Sequence, residues 1–308
     1  DDDEGRRRQH HHHDKNLHPD NFFLMDRLYD TLDKRIHEWN QNLNNNKKGR
    51  IFGVIPRLRL RREILEELLI KQLTVAFDVA SAVAYLHKHR VIHRDIAAEN
   101  IGFDIRENAK LFDFGLATSM MKHHQDDNHR STKIGFYNLT ARTGSFPYMA
   151  PEVATYELYN ETCDVYSFAI LLWEILALRP ALGEEDGIRN KKDFYDKVCV
   201  GGLRPKISPR WPTPECRSFM ERAFLRDPLQ RPGMEEAANG ALRADLENAC
   251  QACGVTNRHK FLEDQSNRSL RRKKDQRRRR QRGRASFALS TRTIDGRRQK
   301  SGLRESIH

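Results

Sequence analysis

Apolar residues recur along this chain in three patterns, and each predicts a different element. Between Leu69 and Leu86 they fall at Leu69, Leu73, Ala76, Phe77, Ala80, Val83, Ala84 and Leu86, the i, i+3, i+4 spacing of a helix with one buried face. From Val165 to Leu178 nearly every position is apolar, which predicts a helix enclosed by core on all sides. Phe22-Phe23-Leu24-Met25 is a short apolar run of strand length, and Ala109 to Phe112 is strand-like. Further helices are predicted over Asp33 to Trp39, Lys191 to Cys199, Pro214 to Leu225 and Met234 to Ala252. Between these lie polar stretches. Residues 1–18 are charged and His-rich without periodicity and predict disorder, and the run His10 to His13 reads as low complexity, not as a metal site. Residues 40–62, polar and then basic, read as a surface insertion, and Lys122 to His129 as a disordered excursion.

Composition narrows the class. No run of 18 or more apolar residues occurs, and the longest, Phe168 to Trp173, stops at Glu174, so no transmembrane helix and no membrane partner are expected. The acidic start, Asp1-Asp2-Asp3-Glu4, is unlike a secretory signal, and five scattered cysteines suit a reducing compartment. An intracellular location, cytoplasmic or nuclear, follows. Cys250-x-x-Cys253 has no second pair at zinc spacing and reads as two helix cysteines. The net charge of +12 sits wholly in the tail: from Gln265 onward there are 16 basic and 3 acidic residues, against 39 and 40 before it.

The chemistry is concentrated in His93-Arg94-Asp95-Ile96-Ala97-Ala98-Glu99-Asn100, followed by Asp113-Phe114-Gly115 and Ala150-Pro151-Glu152. Asp95 can accept a proton from an attacking hydroxyl. Asn100 and Asp113 are hard oxygen ligands suited to Mg²⁺, which phosphoryl transfer needs.

With these motifs in this order, the chain resembles the eukaryotic protein kinases, from about Phe22 to about Ala252. The resemblance implies an α+β fold, mainly the helical C-terminal lobe, with ATP and Mg²⁺ as cofactors and proteins as substrates. It implies Asp95 as catalytic base, Asn100 and Asp113 as the metal ligands, and Met25, Asp26 and Leu28 as the hinge positions against adenine. Arg94 would receive an activation-loop phosphate, with Ser131, Thr132, Thr140 and Thr143 within reach and Thr140 or Thr143 favoured. His93 would anchor the loop, Phe114 would pack in the core between lobes, and Gly115 would permit the turn after Asp113. Glu152 and Arg231 would form a buried ion pair, and Asp164 would hold the catalytic-loop backbone.

Two departures matter. At Ala97-Ala98-Glu99-Asn100 the chain mixes the serine/threonine and tyrosine patterns, while Gly144-Ser145-Phe146-Pro147-Tyr148-Met149 and Arg204 to Pro232 resemble the tyrosine-kinase-like serine/threonine group. Serine/threonine specificity is therefore expected. Before residue 93 the only glycines are Gly5, Gly49 and Gly53, in no GxGxxG pattern, and no lysine stands in a Val-Ala-Ile-Lys context. The expected domain, 21–252, is thus a hinge and large lobe with a truncated small lobe, flanked by segment 1–20 and a basic tail, 253–308. Either the chain is incomplete, or it is a fragment or pseudokinase acting as a binding module. As given, it should bind MgATP weakly and leave Phe22, Phe23 and Phe114 uncovered. The tail clusters within 268–300 suggest contact with nucleic acid or an import receptor, and Ser286 a phosphorylation site.

Overall fold

The computed structural model describes residues 27–48, 54–120 and 136–255. Its elements run β1 (Asp30–Thr31), α1 (Leu32–Lys48), α2 (Val54–Lys88), β2 (Val91–Ile92), β3 (Ile101–Phe103), β4 (Ala109–Leu111) and β5 (Thr118–Ser119). Then come α3 (Pro151–Ala154), α4 (Thr162–Ala177), α5 (Lys191–Phe194), α6 (Pro214–Ala223), α7 (Met234–Glu236) and α8 (Arg243–Ala252).

Helix α4 is the centre of the core, as its unbroken apolar sequence predicts: every residue from Cys163 to Ile175 is buried. The long α2 packs on α4, α7 and α8 through Ile70, Leu73, Ala76, Ala80 and Val83. Its exposed positions mix charged residues with Leu65 and Tyr85, and it carries i, i+4 pairs, Arg62 with Glu66 and Lys71 with Glu67, each at 2.7 Å. Gln72 donates to the carbonyl of Ile175, one of the last-turn carbonyls of α4 that have no helical partner. The stretch Arg61–Lys88 is long and apolar enough to cross a membrane by length and composition, but half of its most apolar window is buried inside this core.

Two small antiparallel ladders position the loops. In one, β3 lies between β1 and β4, with Asp30 opposite Phe103 and Ile101 opposite Leu111. In the other, Val91 faces Ser119 and Ile92 faces Thr118. Together they bring the 93–100 loop against segment 112–117.

The polar run after Trp39 differs from its reading as an insertion. Helix α1 continues to Lys48, and α2 begins at Val54. Half-buried Leu43 continues the apolar face of Leu32, Ile36 and Trp39, and polar pairs add to it: Gln41 bonds His37 at 2.7 Å and Asn44 donates to Asn40 at 2.9 Å, both one turn apart. The predicted strand Phe22 to Met25 lies outside the described residues. The two later helices exist with a change of winding: α5 and α7 each run into a π-helical stretch, Tyr195–Val200 and Ala237–Leu242.

Candidate active site

The site is built outward from Asp164, fully buried in the first turn of α4. One carboxylate oxygen accepts the backbone N–H of His93 at 2.8 Å, and the other accepts that of Arg94 at 2.8 Å. Arg94 has φ +68°, a left-handed conformation costly for a residue with a Cβ. The charge-assisted bonds to Asp164 offset that cost and turn the loop. His87, in the last turn of α2, bonds the same carboxylate at 2.9 Å through Nε2, a partner that no local pattern announces.

Asp95 is then gripped from two segments. Its Oδ1 accepts the backbone N–H of Ser145 at 2.6 Å, and its Oδ2 accepts Nδ2 of Asn100 at 2.7 Å. Asn100 Nδ2 also donates to the Asp95 carbonyl at 2.9 Å. Ser145 reaches Asp95 because Gly144 precedes it at φ +107°, where a Cβ would run into the Arg94 carbonyl. Each Asp95 oxygen keeps a second acceptor site, so the carboxylate is oriented yet still able to take a proton.

Asn100 and Asp113 are brought together by the β3–β4 ladder. Asn100 immediately precedes β3, and its carbonyl accepts the N–H of Phe112 at 3.1 Å, one residue before Asp113. With Nδ2 committed to Asp95, the carbonyl oxygen is the Asn100 side-chain atom left for a cation. Asp113 is exposed, and one carboxylate oxygen accepts the Gly115 N–H at 3.2 Å. Among the described residues no group of three or more His, Cys, Asp or Glu could hold a metal ion. One amide and one carboxylate fit Mg²⁺, which takes one or two protein oxygens and completes its shell with phosphate and water.

Several expectations are corrected here. The residue in the left-handed region at the Asp-Phe-Gly turn is Asp113, at φ +62°, not Gly115. Gly115 instead gives room, since a Cβ there would stand 3.1 Å from the Asp113 carboxylate. Phe114, 48% exposed, is uncovered, as expected for the chain as given, and its ring lies 5.0 Å from that of His93 in a T-shaped arrangement. Thr143 is buried and its hydroxyl is tied to the Thr140 carbonyl at 2.9 Å, whereas Thr140 is exposed. Ser131, Thr132, Met25 and Asp26 lie outside the described residues. Leu28 is half-buried, leaning on Gly102.

His93 is fully buried, and among the described residues no group meets its ring nitrogens in good hydrogen-bond geometry, though the Phe112 backbone lies close enough to favour the charged form. Burial holds its pKa below the ordinary value, against the opposing pull of Asp164 and Asp95, so the ring is a neutral anchor. The Arg94 guanidinium donates to the Leu116 carbonyl at 2.5 Å and meets the Tyr159 hydroxyl at 3.4 Å, with no carboxylate beside it among the described residues. Glu152 and Arg231 form a two-pronged pair, 2.6 and 2.8 Å, almost wholly buried.

Residues 45–241, more than half of the chain, match the protein kinase domain model. The chain belongs to the protein kinase domain family. It is 34% identical over 164 residues to serine/threonine-protein kinase STY17 of Arabidopsis thaliana, covering 53% of this chain and 26% of that protein. It is 33% identical over 167 residues to dual specificity protein kinase shkC of Dictyostelium discoideum, covering 54% and 30%. It is 32% identical over 165 residues to the putative mitogen-activated protein kinase kinase kinase 7-like protein of Drosophila melanogaster, covering 52% and 38%. The chain thus spans well under half the length of the relatives it matches. Its fold is the protein kinase fold, mostly helical with small sheets. The hinge-like stretch Phe22 to Leu28 precedes the matched residues.

One element of this kinase domain escaped the motifs. Glu174, buried near the end of α4, accepts the Tyr148 hydroxyl at 2.6 Å and the Ala181 N–H at 2.8 Å. Tyr148 in turn receives the Ala98 N–H at 3.4 Å, tying the catalytic loop to the core. Burial pushes the Glu174 carboxyl up to about 7, against the pull of these bonds. Its signal in the sequence was the acid that ends the longest apolar run.

Proposed function

We propose that the chain carries the catalytic half of a serine/threonine protein kinase that transfers the γ-phosphate of MgATP to a hydroxyl of a protein substrate. Asp95, with each carboxylate oxygen fixed by an N–H donor from a different segment, is the single observation that supports this reading best. The substrate oxygen bonds to the γ-phosphorus, the bond to the bridging oxygen breaks, ADP leaves, and the hydroxyl proton goes to the Asp95 carboxylate. Positioning dominates this chemistry, so Asp95 chiefly orients the hydroxyl. Asn100 and Asp113 hold the cation, whose charge balances that developing on the phosphate oxygens. Leu28, with Met25 and Asp26, flanks the adenine. Arg94 receives a phosphate on the activation segment, and the exposed Thr140 is the acceptor we favour.

The site belongs to a domain over 21–252 of an intracellular protein, with tail positions 268–300 contacting nucleic acid or an import receptor. A second reading, a kinase-like binding module, is favoured by Ala97, where a serine/threonine kinase has Lys. Asp95→Asn decides for the first reading if phosphotransfer falls about 10²–10⁴-fold while the unfolding midpoint holds. Undiminished transfer would remove Asp95 from the role, and wild-type protein that binds its partners but no nucleotide would favour the module.

A further inference from the structure

We propose that Arg35 is a positioning residue that sets the distance between the adenine side of the site and its Mg²⁺ ligands; this rests on the kinase reading above. Arg35 lies one turn into α1, with only 15% of its side chain accessible. Its Nε donates to the Asp30 carboxylate at 3.0 Å, and Nη1 donates to that of Glu107. The guanidinium plane lies over the Phe103 ring, 4.2 Å from its centroid.

These three contacts belong to different pieces of the site. Asp30 is in β1, one residue beyond Leu28 with Tyr29 between; Phe103 ends β3; Glu107 sits in the turn between β3 and β4 at φ +70°. From the edges of that turn the hairpin runs back four residues to Asn100 and five to Asp113, roughly 13–17 Å. Backbone pairing alone joins β1 to β3 only weakly, through Tyr29 N–H to the Phe103 carbonyl at 2.9 Å and a two-residue strand. Arg35 adds a rigid clamp across the same junction. Its planar fork and ring stacking are what lysine cannot supply. Leu28 already presses on Gly102 with no space to spare, so a shift of the hairpin moves the base-side residue and the metal ligands relative to each other.

The clamp predicts a specific defect. Arg35→Lys keeps the charge and loses the fork, so it should weaken the cooperation between cation and nucleotide without weakening the nucleotide alone. ATP affinity of the full 308-residue chain is measured with Mg²⁺ and with EDTA, for wild type and Arg35→Lys. The expected result is that the gain from Mg²⁺ shrinks about tenfold while the Mg²⁺-free affinity and the unfolding midpoint stay put. Equal losses in both conditions, or none, would overturn the proposal and leave Arg35 a structural residue. If the wild type binds no nucleotide, the kinase reading fails and hydrogen exchange decides this one. Faster exchange at the Phe112 amide in Arg35→Lys, relative to α4 amides, supports the clamp. Unchanged or uniformly faster exchange overturns it.

Discussion

The acids of α4 and its surroundings and the acids of the catalytic loops hold their charge in opposite ways. Asp164, Glu174 and Glu152 are buried, and each spends its carboxylate on partners inside the protein: backbone N–H groups, a tyrosine hydroxyl, an arginine fork. Asp113 is exposed and accepts one weak backbone bond, and Asp95 is oriented but not saturated. Buried charges without partners are costly, so the first group is committed to structure. The second group can afford open acceptor sites because water, or a bound cation, satisfies them. The difference teaches that the proposed site sits on loops whose backbone is fixed by core acids, while the side chains stay available.

The sharpest way to break this comparison is to attack a committed pair. Arg231→Leu leaves Glu152 buried and unpaired and should cost about 3–5 kcal/mol in urea unfolding; a loss below about 1 kcal/mol would show that the pair is not committed to structure. Next comes Asp164→Asn, which keeps one acceptor oxygen and loses the charge that receives His93, Arg94 and His87. About 2 kcal/mol of stability should disappear, and the exchange of the His93 and Arg94 amides should rise first. Uniform loss across the core would contradict the local role.

Much of this was legible from the chain alone, and the reason is distance along it. Asp95, Asn100 and Asp113 fall within 19 residues, and their relation is fixed by one loop and one hairpin. Asp164 and the Glu152–Arg231 pair were legible through resemblance. Arg35, His87 and the Tyr148–Glu174 bond were not, because each acquires its meaning from a partner brought close only by folding; His87 and Asp164, for instance, are 77 positions apart. Phe114 was legible as an apolar side chain left uncovered, and at 48% exposure it is so. The continuation of α1 past Trp39 was missed because only Leu43 extends the stripe of Leu32, Ile36 and Trp39 into an otherwise polar run.

A smaller effect sharpens the comparison through pH. The Glu174 carboxyl moves from an ordinary 4.5 to about 7 on folding. Between those values the unfolded chain has released a proton that the folded protein keeps, so stability falls as pH rises from 4.5 to 7 and is level on either side. Glu174→Gln should remove a slope of about 1 kcal/mol per pH unit over that window. An identical pH profile in the variant would mean that Glu174 is ionised despite its burial. The smallest effect belongs to the exposed pair Arg226–Glu157, 2.5 Å apart at the surface. Arg226→Ala should change the free energy of urea unfolding by less than about 1 kcal/mol, and a larger loss would place this pair with the committed ones.

The central claim is that Asp113 serves a cation and not the fold. Asp113→Asn tests it directly, because asparagine also tolerates the left-handed backbone found there and removes only the charge. Mg²⁺-dependent ATP binding and thermal unfolding are measured side by side on the full chain. The account predicts that Mg²⁺-dependent binding is lost while the unfolding temperature stays within error of wild type. Unchanged Mg²⁺-dependent affinity in the variant, or a collapse of stability without it, would contradict the account.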